Sequence, residues 1–134
     1  MKGADSMRED IRDIWIVDIN QDSDFIKLKD FLFSFDFSCK DIIEKQIKNA
    51  LVVKQKTEYF IAFRFYVDTL YDCLPASFSG LPVVVEVVNG NDHTMCELFA
   101  SHGYIVEYRL YNINGTALNM DSFWKGIPYY EKTN

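Results

Sequence analysis

Basic residues are scarce: 14 Lys and Arg stand against 20 Asp and Glu in 134 residues, a net charge of −6. That balance argues against nucleic-acid backbones and anionic membrane surfaces as partners, since both need an excess of Lys and Arg. Long apolar runs are also missing. None approaches the ~20 residues of a membrane span, and Met1–Asp10 has no apolar core of a secretory leader. Cysteine is sparse: Cys39, Cys73 and Cys96 are odd in number, far apart and in no C-x-x-C pair. They read as reduced thiols of a cytoplasmic protein. Three prolines and six glycines leave no linker. With no internal repeat, residues 1–134 are expected to form a single domain with a flexible N-terminus over 1–10. What is abundant is apolar surface, 49% of residues, and aromatic rings, 16%. That excludes disorder and asks what the rings are for.

Spacing and turn chemistry predict the elements. Asp13–Ile19 reads as a strand, followed by capping residues in Asn20–Ser23. Phe25, Leu28, Leu32 and Phe35, with Phe31 beside them, line one helix face. Ser38 and Asp41 resemble a capping box before a second helix lined by Ile43, Ile47, Ala50 and Leu51. Leu51–Val53, polar Lys54–Lys56 and Thr57–Asp68 suggest a hairpin with a long second strand. Val83–Val88 has the β-branched composition of a central strand buried on both faces. Met95, Leu98, Phe99 and His102, opened by Thr94-x-x-Glu97 and stopped at Gly103, predict a third helix. Tyr104–Ile113 alternates as a strand, and Asn114–Gly115 predicts a two-residue turn into a return strand, Thr116–Trp124. The expected fold is α+β, a mixed, mostly antiparallel sheet with three helices in the order β-α-α-β-β-β-α-β-β.

In Val83–Tyr104 a strand leads to Asn91 and Asp92, then to Leu98-Phe99, and Gly103-Tyr104 opens the next strand. This segment, with the hairpin Tyr104–Trp124, resembles the GCN5-related N-acetyltransferase (GNAT) family. The resemblance implies a GNAT-like topology and an acyl-CoA site. Family members hold the CoA pyrophosphate on a Gly-rich loop at a helix N-terminus. The corresponding Thr69–Leu81 has one glycine, one proline and no Arg, Lys or Gln. The tyrosine that commonly acts as general acid corresponds to Phe99, which has no proton to give.

Strand alternation makes a second, independent suggestion. Arg64 shares a face with Phe60, Ala62, Tyr66 and Asp68; Glu86 with Val84 and Val88; Glu107 and Arg109 with Ile105, Tyr111 and Ile113. If these faces coincide, Arg64, Tyr66, Asp68, Glu86, Glu107, Arg109 and Tyr111 form a polar patch with aromatic edges, able to read a ligand through arginine. Ordinary cross-strand ion pairs of little energetic weight account for the same residues. Glu86 among five valines would be a carboxylate raised by desolvation, and Glu86 or Glu107 is the candidate base of an acyltransferase. His93, Cys96 and His102 surround the predicted third helix without a metal-ligand spacing, so no metal is expected. Trp124, Tyr129 and Tyr130 form a C-terminal aromatic cluster suited to contact.

These readings point to a small acidic protein that acts without catalysis, as an inhibitor, immunity protein or adaptor. It would bind a protein partner or associate with itself, with no cofactor, nucleic acid or membrane involved. The alternatives are an acyl-CoA-dependent N-acyltransferase with a diverged cofactor loop, and a domain that binds a small ligand.

Overall fold

The computed structural model describes residues 14–68, 73–78 and 80–131. Residues 1–13, including the expected flexible N-terminus, lie outside it, as does part of Thr69–Leu81. The elements run β1 (Ile14–Val17), α1 (Ser23–Phe33), α2 (Lys40–Lys48), β2 (Ala50–Lys56), β3 (Phe60–Val67), β4 (Gly80–Asn89), β5 (Asp92–Ser101), β6 (Tyr104–Asn112), α3 (Met120–Lys125) and β7 (Ile127–Tyr130). All seven strands join one sheet in the order β1-β2-β3-β6-β5-β4-β7. Every pairing among the described residues is antiparallel, so the α+β class stands and the sheet expected to be mixed is antiparallel there throughout. No helix among the described residues is long and apolar enough to cross a membrane.

The helices cover one face of the sheet. Phe25, Leu28 and Leu32 of α1 are buried at the spacing read from the sequence, and the helix starts where the Asp22 carboxylate accepts from Phe25 N at 2.9 Å. The Phe25 ring meets Phe63 and Phe65 edge-on. Buried Tyr108 donates its hydroxyl to Leu28 O at 2.9 Å, and burial raises its pKa. Ile43 and Ile47 of α2 complete this layer, while Gln46 ties the helix to the β5–β6 end of the sheet. Its amide donates to Gly103 O at 3.0 Å and accepts from Ile105 N at 2.9 Å. At the other end of the layer Phe31, Phe35, Phe123 and Trp124 form an edge-to-face cluster joining α1 to α3, and Tyr130 of β7 packs at a tilt on Phe35.

Several sequence expectations fail, each for a physical reason. The predicted third helix is strand β5. Thr94, Cys96, Leu98 and Ala100 point into the core, while Met95, Glu97 and Phe99 lie on the opposite face. Both faces carry apolar residues, which imitates helical spacing. Gly103 is a turn residue rather than a helix cap: His102 and Gly103 have φ of 53° and 89°, the left-handed pair that a tight two-residue hairpin requires. A Cβ on Gly103 would also collide with Cys73 Sγ.

The return strand Thr116–Trp124 does not form either, because β6 is already paired by β3 and β5. Buried Asn112 instead bonds Thr94, Thr116 and Ala117, turning the chain into α3, which Asn119 caps. The observed order is therefore β-α-α-β-β-β-β-β-α-β. Lys54–Lys56 belong to β2 rather than to a turn. Helix α2 begins after Cys39, which stands at the N-cap with φ of 61° in place of the expected Ser38, and ends before Ala50 and Leu51. Strand β4 is buried on one face alone, since Val84, Glu86 and Val88 are half-buried on the uncovered side.

Candidate functional site

The uncovered face of the sheet is where the sequence placed its polar patch. Register sets Ile16, Val53, Arg64, Glu107 and Phe99 in one row across β1, β2, β3, β6 and β5. A second row holds Ile14, Gln55, Ala62, Arg109, Glu97 and Val84. A third holds Phe60, Tyr111, Met95, Glu86 and Tyr129. Seven of the ten expected binding residues share this face: Arg64, Tyr66, Glu86, Glu107, Arg109, Tyr111 and Tyr129. Asp68 is exposed just beyond the end of β3. Trp124 and Tyr130 belong to the aromatic cluster on the covered side, so the C-terminal rings do not form one surface.

The charges form a continuous ladder. Arg64 Nε donates to Glu107 at 3.2 Å, Arg109 Nη1 lies 3.6 Å from the same carboxylate, and Arg109 Nε donates to Glu97 at 3.2 Å. The Arg109 guanidinium also covers the Phe99 ring at 4.5 Å and the Tyr111 ring at 5.3 Å. Arginine on an aromatic face is held without extra hydrogen bonds, which spreads the ladder flat over β6 and β5. Burial and the neighbouring Glu97 carboxylate push the Tyr111 phenol above its ordinary value. Gln55, Phe60, Ala62, Arg64, Glu107, Arg109 and Tyr111 line a surface pocket of about 460 Å³.

Glu86 lies apart from this ladder, two strands from β6. Its carboxylate is 2.7 Å from His93 Nδ1, and both side chains are partly exposed. Valines 83, 85 and 87 turn away from it into the core, so of the five flanking valines Val84 and Val88 alone share its face. Ile105 also leaves the predicted face: the register slips between Phe99 and Ala100, an extra residue bulges β6, and Ile105 turns into the core. His93, Cys96 and His102 separate to the open face, the core and the β5–β6 turn. Burial holds the Cys96 thiol far above its ordinary value, and it is inert. Among the described residues no three metal-ligating side chains converge.

The chain matches no family model, no curated protein and no solved structure. The segment Val83–Tyr104, which carries the GNAT resemblance, spans most of β4, all of β5 and the first residue of β6, with strand β5 in place of the expected helix, and Phe99 lies beneath Arg109 on the open face. Of Thr69–Leu81, the part from Cys73 to Phe78 packs beside the β5–β6 turn, where Leu74 N donates to Gly103 O at 2.7 Å.

Sequence reasoning missed the apolar share of the open face. Ile14, Ile16, Leu51, Tyr66, Ile127 and Tyr129 are six of the twelve exposed large hydrophobic side chains among the described residues. Alternation marks Tyr66 and the C-terminal ring cluster marks Tyr129, but Ile14 and Ile16 fall in a strand with no face assigned, and Leu51 on a helix face. Their position became visible through the register of β1 and β2.

Proposed function

We propose that this protein acts by binding, without catalysis, and that the open face of its sheet is the docking surface for a protein partner. One observation carries the reading: among the described residues, a whole sheet face without a covering layer presents exposed aliphatic and aromatic side chains around interlocked Arg–Glu pairs. Protein interfaces combine these features, with aromatic and arginine anchors and few unpaired charges at the centre. The pocket between Phe60, Arg64 and Tyr111 is sized for one or two side chains of such a partner. The acyltransferase alternative finds no support in the arrangement of its candidate bases, since Glu86 is held by His93 and Glu107 by two arginines.

Two measurements test the proposal. Immobilised protein should retain a partner in stoichiometric amount, and Tyr66→Lys, made on an exposed ring, should lose it while keeping the same thermal unfolding. Acetyl-CoA should leave the unfolding temperature unchanged. A ligand at 100 times its Kd adds about 2.7 kcal/mol, so a clear shift at millimolar acetyl-CoA would overturn the binding reading. So would equal retention by the native and Tyr66→Lys proteins.

A further inference from the structure

The open face is its own electrostatic complement. On β6, Glu107 and Arg109 stand on the same face in adjacent rows, negative beside positive. Consider a second copy turned by a half-rotation about an axis that lies in the face and crosses the strands between these rows. Glu107 then meets the second copy's Arg109, and Arg109 meets its Glu107. The same operation sets Ile16 against Ile14, Tyr66 against Phe60 and Arg64 over Ala62, judged from the register. An isologous interface needs this reciprocity, each residue contacting one that contacts it in return. Stacked sheets cross at about 30°, an offset that long arginine and glutamate side chains can span.

Charge and area agree with this arrangement. On this face the strands place Arg64 and Arg109 against Glu86, Glu97 and Glu107, leaving most of the net charge of −6 elsewhere. Two acidic chains therefore meet on nearly neutral ground. The strands, spaced ~4.8 Å apart and about seven residues long, offer a flat area of roughly 30 by 23 Å, on the order of the ~800 Å² each partner gives to a stable interface.

We propose that a second copy of this chain covers the open face, forming a two-fold dimer through reciprocal Glu107–Arg109 pairs. This rests on the binding reading above and names its partner.

Sedimentation and light scattering over a micromolar to sub-millimolar series test it with a charge-swap set. The native protein should dimerise. Glu107→Arg and Arg109→Glu, each folded by circular dichroism, should each weaken dimerisation by at least ~100-fold through like-charge contact. An equimolar mixture of the two should recover the dimer, because every cross-contact is then between opposite signs. Tyr66→Lys, outside the ladder, should also weaken the dimer and serves if either swap fails to fold.

A native protein that stays monomeric overturns the second copy. If it still shows Tyr66-dependent retention of another protein, the binding reading survives; if it shows none, both fail. Swap variants that remain dimeric, or a mixture that stays monomeric, overturn this interface.

Discussion

The two faces of the sheet are built from the same strands, and they differ in what stabilises them. On the covered face Phe63, Ile61, Leu98, Leu110 and Val85 lie almost completely out of water beneath α1 and α2. On the open face Arg64, Tyr66, Ile14 and Ile16 remain in solvent, and the ion pairs that organise them lie at the surface. The covered face stabilises the fold through dispersion and apolar burial. The open face contributes little to folding and leaves its side chains available for recognition. A substitution should therefore read differently on each side of one strand, and β3, with Phe63 and Arg64 adjacent, is the place to look.

The largest contrast is Phe63→Ala. The ring is fully buried against Phe25 and Tyr108, so its loss should cost ~3–5 kcal/mol in chemical denaturation. A cost under about 1 kcal/mol would show that the covered face is not the tight core described.

Next comes the charge cluster on the covered side, centred on Lys54. Lys54 is nearly buried, 3.0 Å from Asp22 and 2.9 Å from Asp24, and Lys56 also pairs with Asp24. Lys54→Ala should cost ~2–3 kcal/mol, below the ~3–5 of a fully buried pair because Asp24 keeps Lys56. This cluster should also shape the pH dependence. Burial opposes both charges, but the pairing outweighs it: Asp24 titrates below its ordinary value and Lys54 above. The carboxylate contribution is complete above the ordinary aspartate value of ~3.9 and is lost as pH falls through the depressed folded value. The lysine contribution is complete below ~10.4 and is lost as pH rises through the raised folded value. Asp24→Asn should therefore flatten the acid limb of a stability–pH curve; an unchanged limb would remove Asp24 from it.

The smallest effect is expected one residue from the largest. Arg64→Ala removes an exposed side chain and a surface pair, and should change stability by less than about 0.5 kcal/mol. A loss comparable with that of Phe63→Ala would mean that the open face is a structural surface rather than a recognition surface.

Local chemistry made the α1 stripe Phe25–Leu28–Leu32 and the shared face of Arg64 and Tyr66 legible, because each follows from a period within a few residues. The same logic erred at Thr94–Gly103, where an apolar run ending in glycine suits a helix with a left-handed cap and equally a strand ending in a tight hairpin. The arbiter there was β4 and β6 pairing on either side, a distant interaction. It erred at Asn114–Gly115 for a related reason: the chain turns one residue earlier, with Gly115 N donating to Asn112 O at 3.0 Å, Asn114 lacks the positive φ of a two-residue hairpin turn, and β6 is already paired by β3 and β5.

The sequence by itself determined the class of fold, the two N-terminal helices, the acidic balance and which strand residues alternate together, since composition and short periods carry these. The tertiary structure decided the register. Register brought Arg64, Glu107, Arg109 and Glu97 into one ladder, sent Glu86 to His93, and laid Ile14, Ile16 and Leu51 beside Tyr66. Strand pairing joins residues more than forty positions apart, and no local pattern encodes which strand will be the neighbour.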